Sequence, residues 1–185
     1  LQLEDTRLLF QIEEAAELIE GMSAGQIYSP SGAQAVQRLD ALTQAEGVGE
    51  IYAYEVDGLG HQLLMDDANV PSLLALPYLD VCAKDDPLYL RTRAFVLSPA
   101  NSCWGEGKYA RGIGSKHTAP GYVWPIALCV QSITSRDNAE AAELLKMLLA
   151  TDAGTGLMHE SFDPDAPEKF TRDWFAWANS MFGEM

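Results

Sequence analysis

Residues 148–182 read LLATDAGTGLMHESFDPDAPEKFTRDWFAWANSMF. A leucine-rich run ends in Gly154 and Gly156, a single carboxylate, Glu160, follows between His159 and Ser161, and an Asp/Pro loop leads into a second apolar run. Glycine lets a chain turn out of a helix, and Asp and Pro set turns. The stretch therefore predicts helix, turn, loop and helix, with one acid held at the joint. Three chemistries place an acid in such company: a zinc motif, a calcium loop, and the catalytic carboxylate of a sugar-cleaving enzyme.

The first two fail on spacing. HESFD opens like the zinc signature HExxH, but Asp163 stands where the second histidine is needed. His61 and His117 fall in other loops with no ligand spacing. Asp163 and Asp165 are two apart, yet the third ligand and the glycine of an EF-hand loop are missing, so DPDAPE reads as a turn. No metal and no cofactor are expected. GEGKYARGIGS is no phosphate loop, because Ser102 occupies the place of its first glycine. GIGSKH is no nucleophile elbow, because His117 occupies the place of its last.

Moving outward, helices are legible along the chain. Arg7–Glu20 keeps Leu8, Ile12, Ala15, Ala16 and Ile19 on one face and glutamates on the other. A second helix is expected from Pro71 to Tyr78, and a third after Asp86 as N-cap with Pro87 at its first position. WPIALCVQSIT predicts a helix entered through Pro125. DNAEAAELLKMLLA predicts another, with Asp137 and Glu140 at capping-box spacing and Leu144, Leu145, Leu148 and Leu149 facing the core. Thr171 is expected to cap a last helix, with Trp174, Trp177, Ala178 and Met181 along one face and the two tryptophans in the core.

Between the helices lie long segments rich in glycine, proline and aromatic residues. GQIYSPSG and EGVGEIYAYEVDGLGHQLL predict short hairpins, and SPANSCWGEGKYARGIGSKHTAPGY a long ordered loop. Helical pairs joined by short turns at one end and elaborate loops at the other predict an all-α fold. An α/α toroid has this arrangement, and about six helices would make half of a twelve-helix ring, so part of a larger barrel is expected, with hairpins and loops at one mouth. Residues 1–185 are expected to form one domain, part of that barrel.

Composition narrows the function. The net charge of −15 and a pI near 4.4 disfavour nucleic acid, whose affinity rests on Lys and Arg neutralising phosphates. No apolar run approaches the roughly 18 residues that cross a bilayer, which predicts a soluble protein with no membrane partner and, by a small margin, a cytoplasmic one. Cys82, Cys103 and Cys129 are neither paired in number nor spaced as CxxC. What remains is carboxylates among aromatics. Trp104, Tyr109 and Trp124 offer faces to a sugar's C–H surface, and Asp, Asn, Arg and His offer partners to its hydroxyls. Asp66 or Asp67 also suits a cap for the Pro71 helix.

Four stretches then carry a resemblance: YAYEVDGLGHQLLMDDANVPSLLALPYL, DPLYLRTRAFVLSPAN, EGKYARGIGSKHTAPGYVWPIAL and the opening run of residues 148–182. From about Gly49 to the end, the chain resembles the C-terminal half of glycoside hydrolase family 125, the metal-independent exo-acting α-mannosidases. The resemblance implies an (α/α)6 barrel and hydrolysis of non-reducing-end α-1,6-linked mannose with inversion. Glu160 matches the family's general base. The family's general acid is an aspartate in the N-terminal half, so the missing half of the barrel is the expected partner, beside an α-mannoside glycan. Asp57, Asp66, Asp67, Asn69, Arg111, Ser115 and His117 fall in segments that resemble the family's cleft lining. His159 or Arg111 would be the cationic neighbour of Glu160, and Ser161 would help orient the water. Alternatives are a non-catalytic mannoside-binding or scaffold fragment, or another sugar-active enzyme on the same toroid.

Overall fold

The computed structural model describes residues 50–57, 59 and 61–185. The Arg7–Glu20 helix and the GQIYSPSG hairpin lie outside the described residues. Among those described, the fold is not purely helical: four helices alternate with three two-stranded antiparallel sheets. Strand β1 (Glu55–Val56) pairs with β2 (Gln62–Leu63), β3 (Trp104–Glu106) with β4 (Arg111–Ile113), and β5 (Ser161–Asp163) with β6 (Ala166–Thr171). The helices are α1 (Pro87–Val96), α2 (Pro125–Ile133), α3 (Asn138–Ala150) and α4 (Ala176–Glu184).

Three starts follow the local chemistry. The Asp86 side chain accepts from the Tyr89 N–H at 2.9 Å, and Pro87 opens α1, where its missing N–H costs nothing. Pro125 opens α2, the most apolar helix, whose Ile126, Ala127, Leu128, Cys129 and Val130 are all buried. Asp137 caps α3 by accepting from the Ala139 N–H at 2.8 Å. Glu140 does not complete a capping box. It accepts instead from both α1 and α2, through Arg93 Nη2 at 2.9 Å and Gln131 Nε2 at 2.8 Å, and so ties three helices together. Burial pushes this carboxyl up, but hydrogen bonds from Ser135, Gln131 and Arg93 prevail and hold it below the ordinary glutamate range.

Other expectations are corrected. No helix forms from Pro71 to Tyr78; the chain makes successive turns. Pro77 has no amide hydrogen to donate, and the bonds around it are mixed: Ala75 and Leu76 donate three residues back, Leu79 four and Val81 five, so no regular ladder forms. Only Leu144 and Leu148 of α3 are buried, while Leu145 and Leu149 face outward, because a single stripe of α3 meets α2. The last helix begins at Ala176, since Thr171 is the final residue of β6, opposite Ser161.

SPANSCWGEGKYARGIGSKHTAPGY, expected as a loop, contains the β3–β4 hairpin, with Gly105 opposite Gly112. Its glycines serve close layering: a Cβ on Gly114 would stand 2.0 Å from the Tyr122 carbonyl oxygen. One core runs from Ile51 and Leu74 through Tyr89, Val123 and Ile126–Val130 of α2 to Phe162, Ala178 and Met181, with α2 packed between α3 and α4. Among the described residues no helix is long and apolar enough to cross a membrane.

Candidate active site

Glu160 is placed by its backbone. The chain leaves α3 through Ala153, Gly154 and Gly156, all with positive φ (52°, 75° and 71°), a region glycine enters without steric cost. The Asp152 carboxylate fixes this turn by accepting from the N–H groups of Gly154 and Gly156 at 2.9 and 3.2 Å. Asn179 on α4 then clamps Met158 from both sides, accepting from its N–H at 3.0 Å and donating to its carbonyl at 2.7 Å. Glu160 donates its own N–H to the Thr171 carbonyl at 3.1 Å. Phe162 exchanges two backbone bonds with Val123, which joins the β5–β6 hairpin to the start of α2.

The carboxylate that emerges from this frame stands in the wall of a cavity of about 620 Å³, within the range of roughly 300–1,000 Å³ typical of ligand clefts. Asn69, His117 and Trp124 line it with Glu160, together with Arg172, Trp174, Phe175, Ala176 and Trp177 from the segment that leads into α4. Arg172 Nε lies 3.0 Å from Glu160 Oε1. Among the described residues Oε2 has no hydrogen-bond partner. Phe175 meets Trp124 edge to face at 5.9 Å and Trp177 at 5.4 Å. Trp124 keeps its indole N–H on Thr118 Oγ1 at 2.9 Å, which fixes the ring plane.

The candidates read from the sequence separate into two groups. Glu160, Asn69, His117 and Trp124 reach the cavity. The others build the frame behind it or lie elsewhere. Asp67 is buried and accepts from the Asn69 N–H at 3.0 Å, from Asn69 Nδ2 at 2.5 Å and from Ser115 Oγ at 2.7 Å. Ser115 Oγ in turn accepts the His117 N–H at 3.2 Å. One carboxylate thus orients two cavity residues.

Asp66 is fully buried and accepts from the N–H groups of Leu73 and Leu74, each at 2.9 Å. Burial pushes its carboxyl up to about 7, against the opposing pull of those backbone donors. Asp57 sits in the β1–β2 turn and accepts from the N–H groups of Leu59 and His61. A short bond to the His61 ring holds its carboxyl below the ordinary range. Arg111 is exposed on β4, opposite Glu106, away from the cavity lining.

His159 is sealed inside, stacked on Phe170 with ring centroids 3.7 Å apart. Alternation along an extended segment sends His159 inward and Glu160 outward. Ser161 Oγ is buried against Thr171 Oγ1 at 2.7 Å, bonded across the hairpin instead of facing the cavity. The cation at Glu160 is Arg172, not His159 or Arg111.

Arg172, Trp174 and Trp177 were not anticipated as site residues, and the core assignment of both tryptophans is overturned: each is 61% exposed. Trp174 precedes α4 and Trp177 lies in its first turn, so both project past the packed body of the helix. The available signal was that Ala178 and Met181 already supply the buried stripe of so short a helix.

A cavity that combines one carboxylate, an amide, an imidazole, a guanidinium and several aromatic faces is the type that proteins acting on carbohydrates present to a sugar ring. The sequence comparison specifies the family: the model of the metal-independent α-mannosidases, glycoside hydrolase family 125, matches residues 9–185, and the chain belongs to that family. A Schizosaccharomyces pombe relative, the meiotically up-regulated gene 157 protein, is 52% identical over 138 residues, which is 74% of this chain and 27% of the relative. A solved Streptococcus pneumoniae structure, a metal-independent α-mannosidase in a non-productive complex with α-1,6-mannobiose, is 56% identical with a TM-score of 0.72. The match covers 74% of this chain and 32% of that one. The chain thus spans about a third or less of the length of the relatives it matches.

Proposed function

We infer that this chain carries the water-activating side of an inverting exo-α-mannosidase site that removes non-reducing-end α-1,6-linked mannose. The observation that carries the reading is the position of Glu160: its carboxylate stands in the wall of a sugar-sized cavity, beside Asn69, His117 and three tryptophans. Membership of the α-mannosidase family supports the reaction class, and the α-1,6-mannobiose bound by the pneumococcal neighbour supports the substrate class.

In the proposed step, Glu160 takes a proton from a water molecule as the water oxygen attacks the anomeric carbon. The C–O bond to the leaving sugar breaks, and an acid on the opposite side protonates that oxygen. Inversion requires room for the water, with the two carboxyl groups roughly 6.5–9.5 Å apart. The resemblance assigns the acid to an aspartate in the N-terminal half of the family fold, so the remaining helices of an (α/α)6 barrel are the partner that completes the cleft. Residues 1–185 are then one part of a single catalytic domain. Asn69 and His117 bind hydroxyls, and Trp174 and Trp177 cover C–H faces, while Trp124, 2% exposed, backs the wall.

Glu160→Gln, made in the full-length protein, tests the assignment directly. The expected result is a fall in kcat of about 10²–10⁴-fold, the usual contribution of a positioned acid–base group, with binding of α-1,6-mannobiose retained. Proton NMR of the first-formed sugar in the parent enzyme should show β-mannose. Turnover above about a tenth of the parent value in the variant rejects the base assignment, and α-mannose as first product rejects inversion.

A further inference from the structure

Just beyond β6 the backbone does something that local sequence does not explain. Arg172 has φ 53°, in the left-handed region that a non-glycine residue enters at a cost and that clusters at functional sites. No glycine or asparagine adjoins it. The turn is held from inside by His159. Its Nδ1 lies 2.9 Å from the Asp173 carbonyl oxygen and 3.3 Å from that of Arg172, and its Nε2 lies 3.2 Å from the Asp152 carbonyl oxygen. Its ring is parallel to Phe170 within 4°. One buried imidazole therefore joins the turn after α3, the end of β6 and the Arg172–Asp173 turn.

The outer side of the same turn carries the guanidinium that meets Glu160 Oε1 at 3.0 Å and lies 5.9 Å from the Phe175 ring centroid. We propose that His159 and Arg172 are positioning residues for Glu160: the imidazole fixes the left-handed turn, the turn aims the guanidinium, and the guanidinium sets the orientation of the carboxylate. The proposal rests on the reading of Glu160 as the base.

Magnitudes support this division of labour. The Arg172 side chain is 65% exposed, and an ion pair of that kind contributes little to stability because water screens it and side-chain entropy opposes it. Its effect is geometric. A catalytic group must be held within roughly half an ångström of its working position, and a displacement of about 1 Å lowers the rate on the order of 10²-fold. Glu160 has three rotatable side-chain bonds, and Arg172 is the described residue that restrains its carboxylate. An exposed arginine restrains it only if its own backbone is fixed, which is the part given to His159.

The test is steady-state and single-turnover kinetics of the full-length protein on α-1,6-mannobiose. His159→Phe keeps a flat ring on Phe170 and removes the nitrogens; His159→Asn returns an amide donor near the place of Nδ1. Arg172→Gln and His159→Phe are expected to lower kcat about 10- to 100-fold with KM within about threefold, and His159→Asn to recover a substantial part of the loss. In a Glu160→Gln background, Arg172→Gln should cost nothing further, because its action passes through the missing carboxylate.

An unchanged kcat in Arg172→Gln overturns the proposal, as does an equal loss in both backgrounds or a change confined to KM. His159→Asn no better than His159→Phe removes the imidazole from the chain of action. Should His159→Phe fail to fold, the exposed Arg172 variants and the cycle with Glu160→Gln still decide. A fully active Glu160→Gln single variant would instead sink the base assignment, and is read separately.

Discussion

Two parts of the cavity lining are built by different means. Around Asn69 and His117, polar side chains are anchored by other polar side chains: Asp67 holds Asn69 and Ser115, and Ser115 holds the His117 backbone, with the two anchors Asp67 and Ser115 buried, Asn69 half-buried and His117 exposed. From Arg172 to Trp177, large side chains stand in the open on a turn and the first residues of a helix, 61–65% exposed in the case of Arg172, Trp174 and Trp177. Buried hydrogen-bond networks are expensive to break, because each orphaned group pays its desolvation in full. Exposed aromatic faces carry no such penalty, so they are adjustable. Buried anchors thus set geometry in the first part, and open aromatic faces supply contact area in the second.

Asp67→Ala would break this contrast most severely. The loss leaves Ser115 Oγ and the Asn69 amide without their shared acceptor, so a stability decrease of about 1–3 kcal/mol is expected in urea unfolding. KM should rise as Asn69 and His117 lose register. A neutral result in both measurements would mean that the network is decorative.

Asp66 sharpens the comparison through pH. Its carboxyl is raised from 3.8 in the unfolded reference to about 7 in the fold. Between those values the native state keeps a proton that the unfolded chain releases, so stability from this group is full below 3.8 and is lost as pH rises through about 7. The limiting slope is about 1.4 kcal/mol per pH unit. Asp66→Asn should start less stable, having one acceptor for two N–H groups, and should lack this decline. Parallel urea titrations at several pH values would show it as a narrowing difference between the two proteins.

The smallest effect on stability is expected in the open part. Trp174→Ala and Trp177→Ala should change unfolding free energy by no more than about 0.5 kcal/mol, as exposed substitutions do. KM for α-1,6-mannobiose should nevertheless rise several-fold, since an aromatic contact contributes about 0.5–1.5 kcal/mol beyond its area. A large loss of stability would place the indoles in a packed interface instead.

Much of this was legible in advance where local chemistry decides. Asp86 with Pro87, Pro125, Asp137, and the Gly154–Gly156 exit each act within a few residues of themselves, and the structure uses each as expected. The misses share a cause. Pro71–Tyr78 has helical spacing, but Pro77 interrupts its bonding. Trp174 and Trp177 have core spacing, but they lie where a short helix begins and nothing covers them among the described residues. Asp57, Asp66 and Asp67 looked like sugar ligands because a carboxylate that caps a turn and one that binds a hydroxyl are the same residue type in the same sort of loop.

The sequence by itself determined the family, three of the helix starts, the lack of zinc and calcium spacing, and the choice of Glu160 as the candidate carboxylate, because these depend on residue type and short spacing. Tertiary structure alone decided which polar side chains meet in the cavity and which are spent on holding it. Arg172 comes to Glu160 only because β5 and β6 pair and a buried imidazole bends the chain at the hairpin's end. Proximity of that kind arises from strand pairing and burial, and no spacing within a linear pattern encodes it.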